Sequence, residues 1–138
     1  EGGLNLDHNK NFLKKLIINL KKNKSRISLF IEPSLKDLEK AKKLKADCVE
    51  IHTGKLCNLI NKKKNYKKEL SRIKKAVNKG RELGLEVHAG HGLTYNSAKI
   101  LSAIKGIQEF NIGHFLIGES IFEGMPSTIK KFKRILKS

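Results

Sequence analysis

Leu85-Glu-Val-His-Ala-Gly-His-Gly-Leu-Thr94 has the alternation of a β-strand over its first five residues. It then breaks on Gly90-His91-Gly92 and gives way to a helical pattern carrying Ile100, Leu101 and Ile104, with Asn96 as the expected cap. The same unit recurs to either side. Asp47-Cys-Val-Glu-Ile-His52 is a short strand ended by Thr53-Gly54, and Arg26-Ile-Ser-Leu-Phe-Ile31 is another, stopped by Glu32-Pro33. Phe110-Asn-Ile112 is the fourth, followed by Gly113-His114.

Between the strands lie apolar stripes at helical spacing. Asp7 is read as the cap of an opening helix to about Lys22 with Phe12, Leu13, Leu16, Ile17 and Leu20 on one side. Ser34 with Asp37 caps a helix bearing Leu35, Leu38, Ala41 and Leu44. Asn58 to Asn65 reads as a polar, lysine-rich connection into a long helix with Tyr66, Leu70, Ile73 and Val77, closed by Gly84. Phe115 to Ile117 is apolar, Gly118 is read as opening a short helical turn to Gly124, and the last helix uses Ile129, Phe132, Ile135 and Leu136. A helix followed by four strand–helix units predicts an α/β fold with a parallel sheet and helical crossovers.

The chain has 138 residues with 30 Lys+Arg against 13 Asp+Glu, a net charge of +17. Only Arg26, Arg72, Arg81 and Arg134 are arginines, and aromatics make up 6%. A lysine excess spread over many segments, without arginine forks or a stacking platform, reads as solvated helix faces rather than a nucleic-acid interface. No run approaches the roughly 18 apolar residues of a membrane span, and no basic-then-apolar leader is visible. Cys48 and Cys57 form no CxxC pair, and Cys48 reads as a small core residue in a reducing compartment.

In parallel α/β folds ligands bind at the carboxyl ends of the strands, where the unusual polar residues of this chain gather. These are Glu32, Glu50 with His52, His88 with His91, and His114. Glu50 and His52 share a face, opposite Val49 and Ile51, as an acid/base pair would. His91, bracketed by glycines just past a strand, is the leading proton donor. The turn at Gly118 offers free N–H groups suited to phosphate. The four strand-end histidines are also weighed as metal ligands, although no Asp or Cys completes a recognised spacing.

Five ordered segments together resemble the pyridoxine 5′-phosphate synthase (PdxJ) family: Glu1-Gly-Gly-Leu4, Ile27-Ser-Leu-Phe-Ile31, Val49-Glu-Ile-His-Thr-Gly54, Ala89-Gly-His-Gly-Leu-Thr-Tyr95 and Asn111-Ile-Gly-His114. The resemblance implies a (βα)8 TIM barrel. That fold takes about 250 residues, so residues 1–138 are expected to form one unit, the C-terminal half with strands five to eight. It implies condensation of 1-deoxy-D-xylulose 5-phosphate with 3-amino-2-oxopropyl phosphate, releasing phosphate and water, in a cytoplasmic homo-oligomer, commonly an octamer. No metal or organic cofactor and no nucleic-acid or membrane partner is implied.

By the same resemblance, His91 is the general acid and Glu50 stabilises the transition state, while Gly92, Gly113 and His114 bind the aminoketone phosphate. Glu119 departs from the family, which commonly carries a basic residue there. The family's other catalytic histidine and glutamate lie in the first half of the barrel, so the piece alone is expected to be inactive. The competing readings are a metal-dependent hydrolase using the histidines and a basic nucleic-acid-binding module.

Overall fold

In the computed structural model, which describes residues 2–8 and 10–137, seven helices alternate with four strands. The order is α1 (Lys10–Lys22), β1 (Ser28–Ile31), α2 (Leu35–Lys43), β2 (Cys48–His52), α3 (Gly54–Asn61) and α4 (Lys67–Glu82). Then come β3 (Glu86–Gly90), α5 (Tyr95–Ser102), β4 (Glu109–Asn111), α6 (His114–Glu123) and α7 (Met125–Lys137). The strands form one sheet in chain order β1-β2-β3-β4, and every neighbouring pair is parallel. The expected α/β class and parallel sheet are borne out.

Register sorts the side chains into two faces, because alternate residues point to opposite sides. Leu29, Ile31, Val49, Ile51, Val87 and Ala89 lie on one face and are buried. All but Ala89 form a continuous core with Leu38 and Ala41 of α2, Leu56 and Ile60 of α3, Ile73 and Val77 of α4, and Leu101 of α5. The other face carries Phe30, Glu50, His52, Glu86, His88, Glu109 and Asn111. One side of the sheet is thus a hydrophobic layer and the other a polar one ending at the strand tips.

Several local expectations need correction. Asn58 to Asn65 is not all connection, since α3 runs through Asn61 and buries Ile60 there, after Leu56 and Cys57. The cap of α5 is Thr94, whose side chain and that of Ser97 exchange hydrogen bonds in a capping box, and not Asn96. Asp7 pairs with Lys40 at 2.6 Å, and the position before Lys10 lies outside the described residues. Of the α1 stripe only Ile17 is buried. Gly118 opens nothing: α6 already starts at His114, and Gly118 lies inside it.

Both cysteines are buried thiols, and Cys48 is the core residue expected. Most lysines lie on exposed helix positions. Among the described residues no helix is long and apolar enough to cross a membrane.

Candidate active site at the strand tips

The carboxyl ends of the strands meet at one level, because His52 of β2 is in register with Gly90 of β3, and Gly90 with Asn111 of β4. A cleft of about 700 Å³ opens there, lined by His91, Gly92, Thr94, Asn111, Gly113, His114 and their neighbours. Four of the five residues singled out from the sequence therefore border one cavity. Among the described residues no carboxylate lines it.

Its floor is the turn after β3. His91 and Gly92 adopt left-handed backbone angles in succession, φ 75° and 78°. For a histidine that conformation costs energy and persists only when its surroundings enforce it. The enforcement comes from Thr53, fully buried at the end of β2. Its hydroxyl lies 2.8 Å from the Gly90 carbonyl and 2.9 Å from the His91 carbonyl, and its N–H donates to the Gly90 carbonyl at 2.9 Å. The Cys57 thiol lies beneath, 3.7 Å from the His91 carbonyl. Burial pushes that thiol above its ordinary range, so at neutral pH it is a packing group and not a nucleophile.

The imidazole of His91 lies against that of His52, with ring centroids 4.6 Å apart. His52 in turn meets the Phe30 ring edge-on at 5.2 Å, and its Nδ1 lies 3.2 Å from Glu32 Oε1. Glu50 sits one layer below the cleft. Its Oε2 accepts a 2.6 Å hydrogen bond from Asn111 Nδ2. The expectation that Glu50 and His52 share a face holds, yet each finds a different partner.

The opposite wall is the start of α6, where Gly113 precedes the first helical residue, His114. The unpaired N–H groups of a helix's first turn and the positive end of its dipole face this position, and both favour anions. The correction to the start of α6 also relocates Glu119, which stands inside the helix and not beside its N-terminus. His88 is not at the cleft. It is buried deeper on the polar face, with Nε2 2.9 Å from Glu86 Oε1 and Nδ1 3.7 Å from Glu109 Oε1. Among the described residues no three His, Cys, Asp or Glu side chains gather as a metal site would require.

Sequence reading missed Asn111 as the partner of Glu50 and Thr53 as the clamp of the His91 turn. Both stand inside the quoted motifs, but nothing in their spacing reveals what they touch.

A parallel sheet covered by helices on one face and open to a polar, imidazole-lined cleft at its strand tips defines an α/β protein with a candidate ligand site at the strand ends. More specifically, the chain belongs to the family described as pyridoxal phosphate biosynthesis protein PdxJ, whose model matches residues 1–138. It is 56% identical over 135 residues to the pyridoxine 5′-phosphate synthase of Pelagibacter ubique (strain HTCC1062), covering 98% of this chain and 56% of the relative. Synthases of the same name from Sulfurihydrogenibium sp. (strain YO3AOP1) and Zymomonas mobilis subsp. mobilis are each 42% identical over 136 residues. Those matches cover 99% of this chain and 55% and 52% of the two relatives. The chain spans about half the length of the curated relatives it matches.

Proposed function

We propose that the chain supplies the last four βα units, strands five to eight, of a (βα)8 barrel pyridoxine 5′-phosphate synthase. In this reading residues 1–138 are one structural half of the barrel. The enzyme is a cytoplasmic homo-oligomer that condenses 1-deoxy-D-xylulose 5-phosphate with 3-amino-2-oxopropyl phosphate, closing the pyridine ring with loss of phosphate and water. The observation that carries the reading is the single cleft bordered by His91, Gly92, Gly113 and His114 in a chain of this family. The sheet is consistent with half a barrel: β1 and β4 are edge strands among the described residues, and the polar face stands where a barrel's interior would be.

Each group then has a task. His91 donates a proton from a turn that places its ring at the cleft. Gly92 gives the backbone room beside it, and the N-terminus of α6 at Gly113 and His114 receives the phosphate of the aminoketone substrate. The Glu50 carboxylate, oriented by Asn111, stabilises positive charge developing on the amine-bearing substrate. The chemistry rests on side chains and backbone dipoles without a metal or organic cofactor, so a chelator leaves the rate unchanged.

The test is an assay with both phosphorylated substrates, using the chain alone and the chain joined to the first half of the barrel. Turnover only in the joined protein is expected. Substantial turnover by the chain alone overturns the half-barrel reading, and none in a folded joined protein overturns the synthase reading.

A further inference from the structure

We propose that Glu32 is a positioning residue for His91, acting through His52. The inference rests on the reading of His91 as proton donor and adds a residue to that site.

Glu32 directly follows β1, and its carboxylate collects donors from three separate segments. His52 Nδ1 lies 3.2 Å away at the end of β2, the Gly3 N–H 3.3 Å away in the N-terminal stretch, and Arg72 Nη2 3.5 Å away on α4. Arg72 is itself fixed by the buried Glu69, which accepts from its Nη2 at 2.6 Å and its Nε at 3.0 Å. Glu32 is thus anchored against a guanidinium whose charge another carboxylate already balances. A carboxylate facing Nδ1 keeps the proton on that nitrogen and sets the plane of the ring, as carboxylates do for working histidines.

The fixed ring then bears on His91. The two imidazoles lie 4.6 Å apart with their planes 35° from parallel, and both occupy the space that a side chain on Gly54, at the start of α3, would take. A Cβ at Gly54 would fall 2.7 Å from His91 Cδ2 and 3.0 Å from His52 Cε1, so a side chain there would displace both rings. His91 needs such support because its backbone is held at φ 75°. Glu32, His52 and Gly54 therefore form a bracket, closed on its far side by Phe30.

The experiment uses the complete enzyme with Glu32→Gln, Glu32→Asp, Gly54→Ala and, as reference, His91→Ala. Steady-state kinetics are paired with ¹⁵N–¹H spectra of the imidazoles. Glu32→Gln is expected to lower kcat on the order of 10- to 100-fold with little change in either KM, since misplacing a reacting group costs rate and not binding. It is also expected to move the signals of both His52 and His91, and Glu32→Asp is expected to recover most of the rate. Gly54→Ala perturbs the same two imidazoles from the opposite side.

A folded Glu32→Gln enzyme with unchanged kcat and unmoved His91 signals overturns the proposal while His91→Ala still abolishes turnover. If His91→Ala leaves kcat intact, the proton-donor reading falls. The coupling is then decided by the spectra alone: His91 signals that move with Glu32→Gln support it, and unmoved ones overturn it.

Discussion

Glu50 on β2 reaches across the whole width of β3 to accept a 2.6 Å hydrogen bond from Asn111 on β4. The strand it crosses carries Gly90 at that level, and a Cβ there would lie 1.8 Å from Glu50 Oε1 and 3.2 Å from the Asn111 side chain. The missing side chain on β3 is what lets its two neighbours, β2 and β4, share one polar contact beneath the cleft.

Gly90→Ala is therefore expected to expel the Glu50 carboxylate from its seat. Overpacking of this kind costs typically 1–3 kcal/mol of stability. In the complete enzyme kcat is expected to fall about as far as in Glu50→Gln, and Asn111→Ala to fall less, because Glu50 remains present but loses its orientation. Chemical denaturation and steady-state kinetics check both parts.

His91→Ala is expected to lower kcat of the complete enzyme by about 10²–10⁴-fold through loss of proton donation, with the substrate KM values changing far less. An unchanged kcat removes His91 from the chemistry.

Asp47 gives the acid limb of the stability curve. The Lys21 ammonium at 2.7 Å, and then the Ile27 N–H at 2.8 Å, hold its carboxyl below the ordinary value near 3.8. A depressed carboxyl contributes stability that is present above its unfolded pKa and is lost as pH falls through the lower folded value. Asp47→Asn should thus destabilise by no more than about 0.5–1 kcal/mol at neutral pH, because its amide oxygen can still accept from the Ile27 N–H and the charge it removes faces a solvent-screened lysine. The difference from the parent should shrink below about pH 4. Urea melts at neutral pH and at about pH 3 measure both.

Cys57 should resist alkylation in the folded protein. It is buried, and burial pushes its thiol up, so both access and thiolate fraction are low. Labelling by iodoacetamide at mildly alkaline pH is expected only as fast as the protein opens, and to become rapid in urea.

Two phenylalanines on the C-terminal helices should behave oppositely. Phe132 of α7 is 4% exposed and packs against Tyr95 and Phe115, whereas Phe122 of α6 is 88% exposed. Replacing Phe132 with alanine should cost about 3–5 kcal/mol and replacing Phe122 within about 0.5 kcal/mol in the chain by itself. Paired denaturation curves decide it.

The order of elements was legible because it rests on local periodicity: alternation over Asp47 to His52 and Leu85 to Ala89, and apolar stripes such as Ile73 and Val77. Where local signals mislead, the reading failed. Lysines 62–64 disguised the end of α3 as a loop, although Leu56, Cys57 and Ile60 mark a buried helical face. Gly118 reads as the opening of a short turn, but one glycine inside a helix costs only about 1 kcal/mol, which neighbouring structure outweighs, and α6 runs through it. α6 buries none of its residues, so it has no stripe to announce its start.

The sequence by itself determined the alternation of strands and helices, the face each strand residue takes, and the isolation of His91 between glycines. All of these follow from backbone stereochemistry over a few neighbouring residues. Tertiary structure alone decided that Asn111 holds Glu50 from 61 positions away and that Thr53 clamps the turn at His91. It also decided that Glu32 and Arg72, 40 positions apart, meet behind His52. Such contacts form when parallel crossovers bring the strand ends to one level, and that closure belongs to the packing of the whole sheet and not to any single segment.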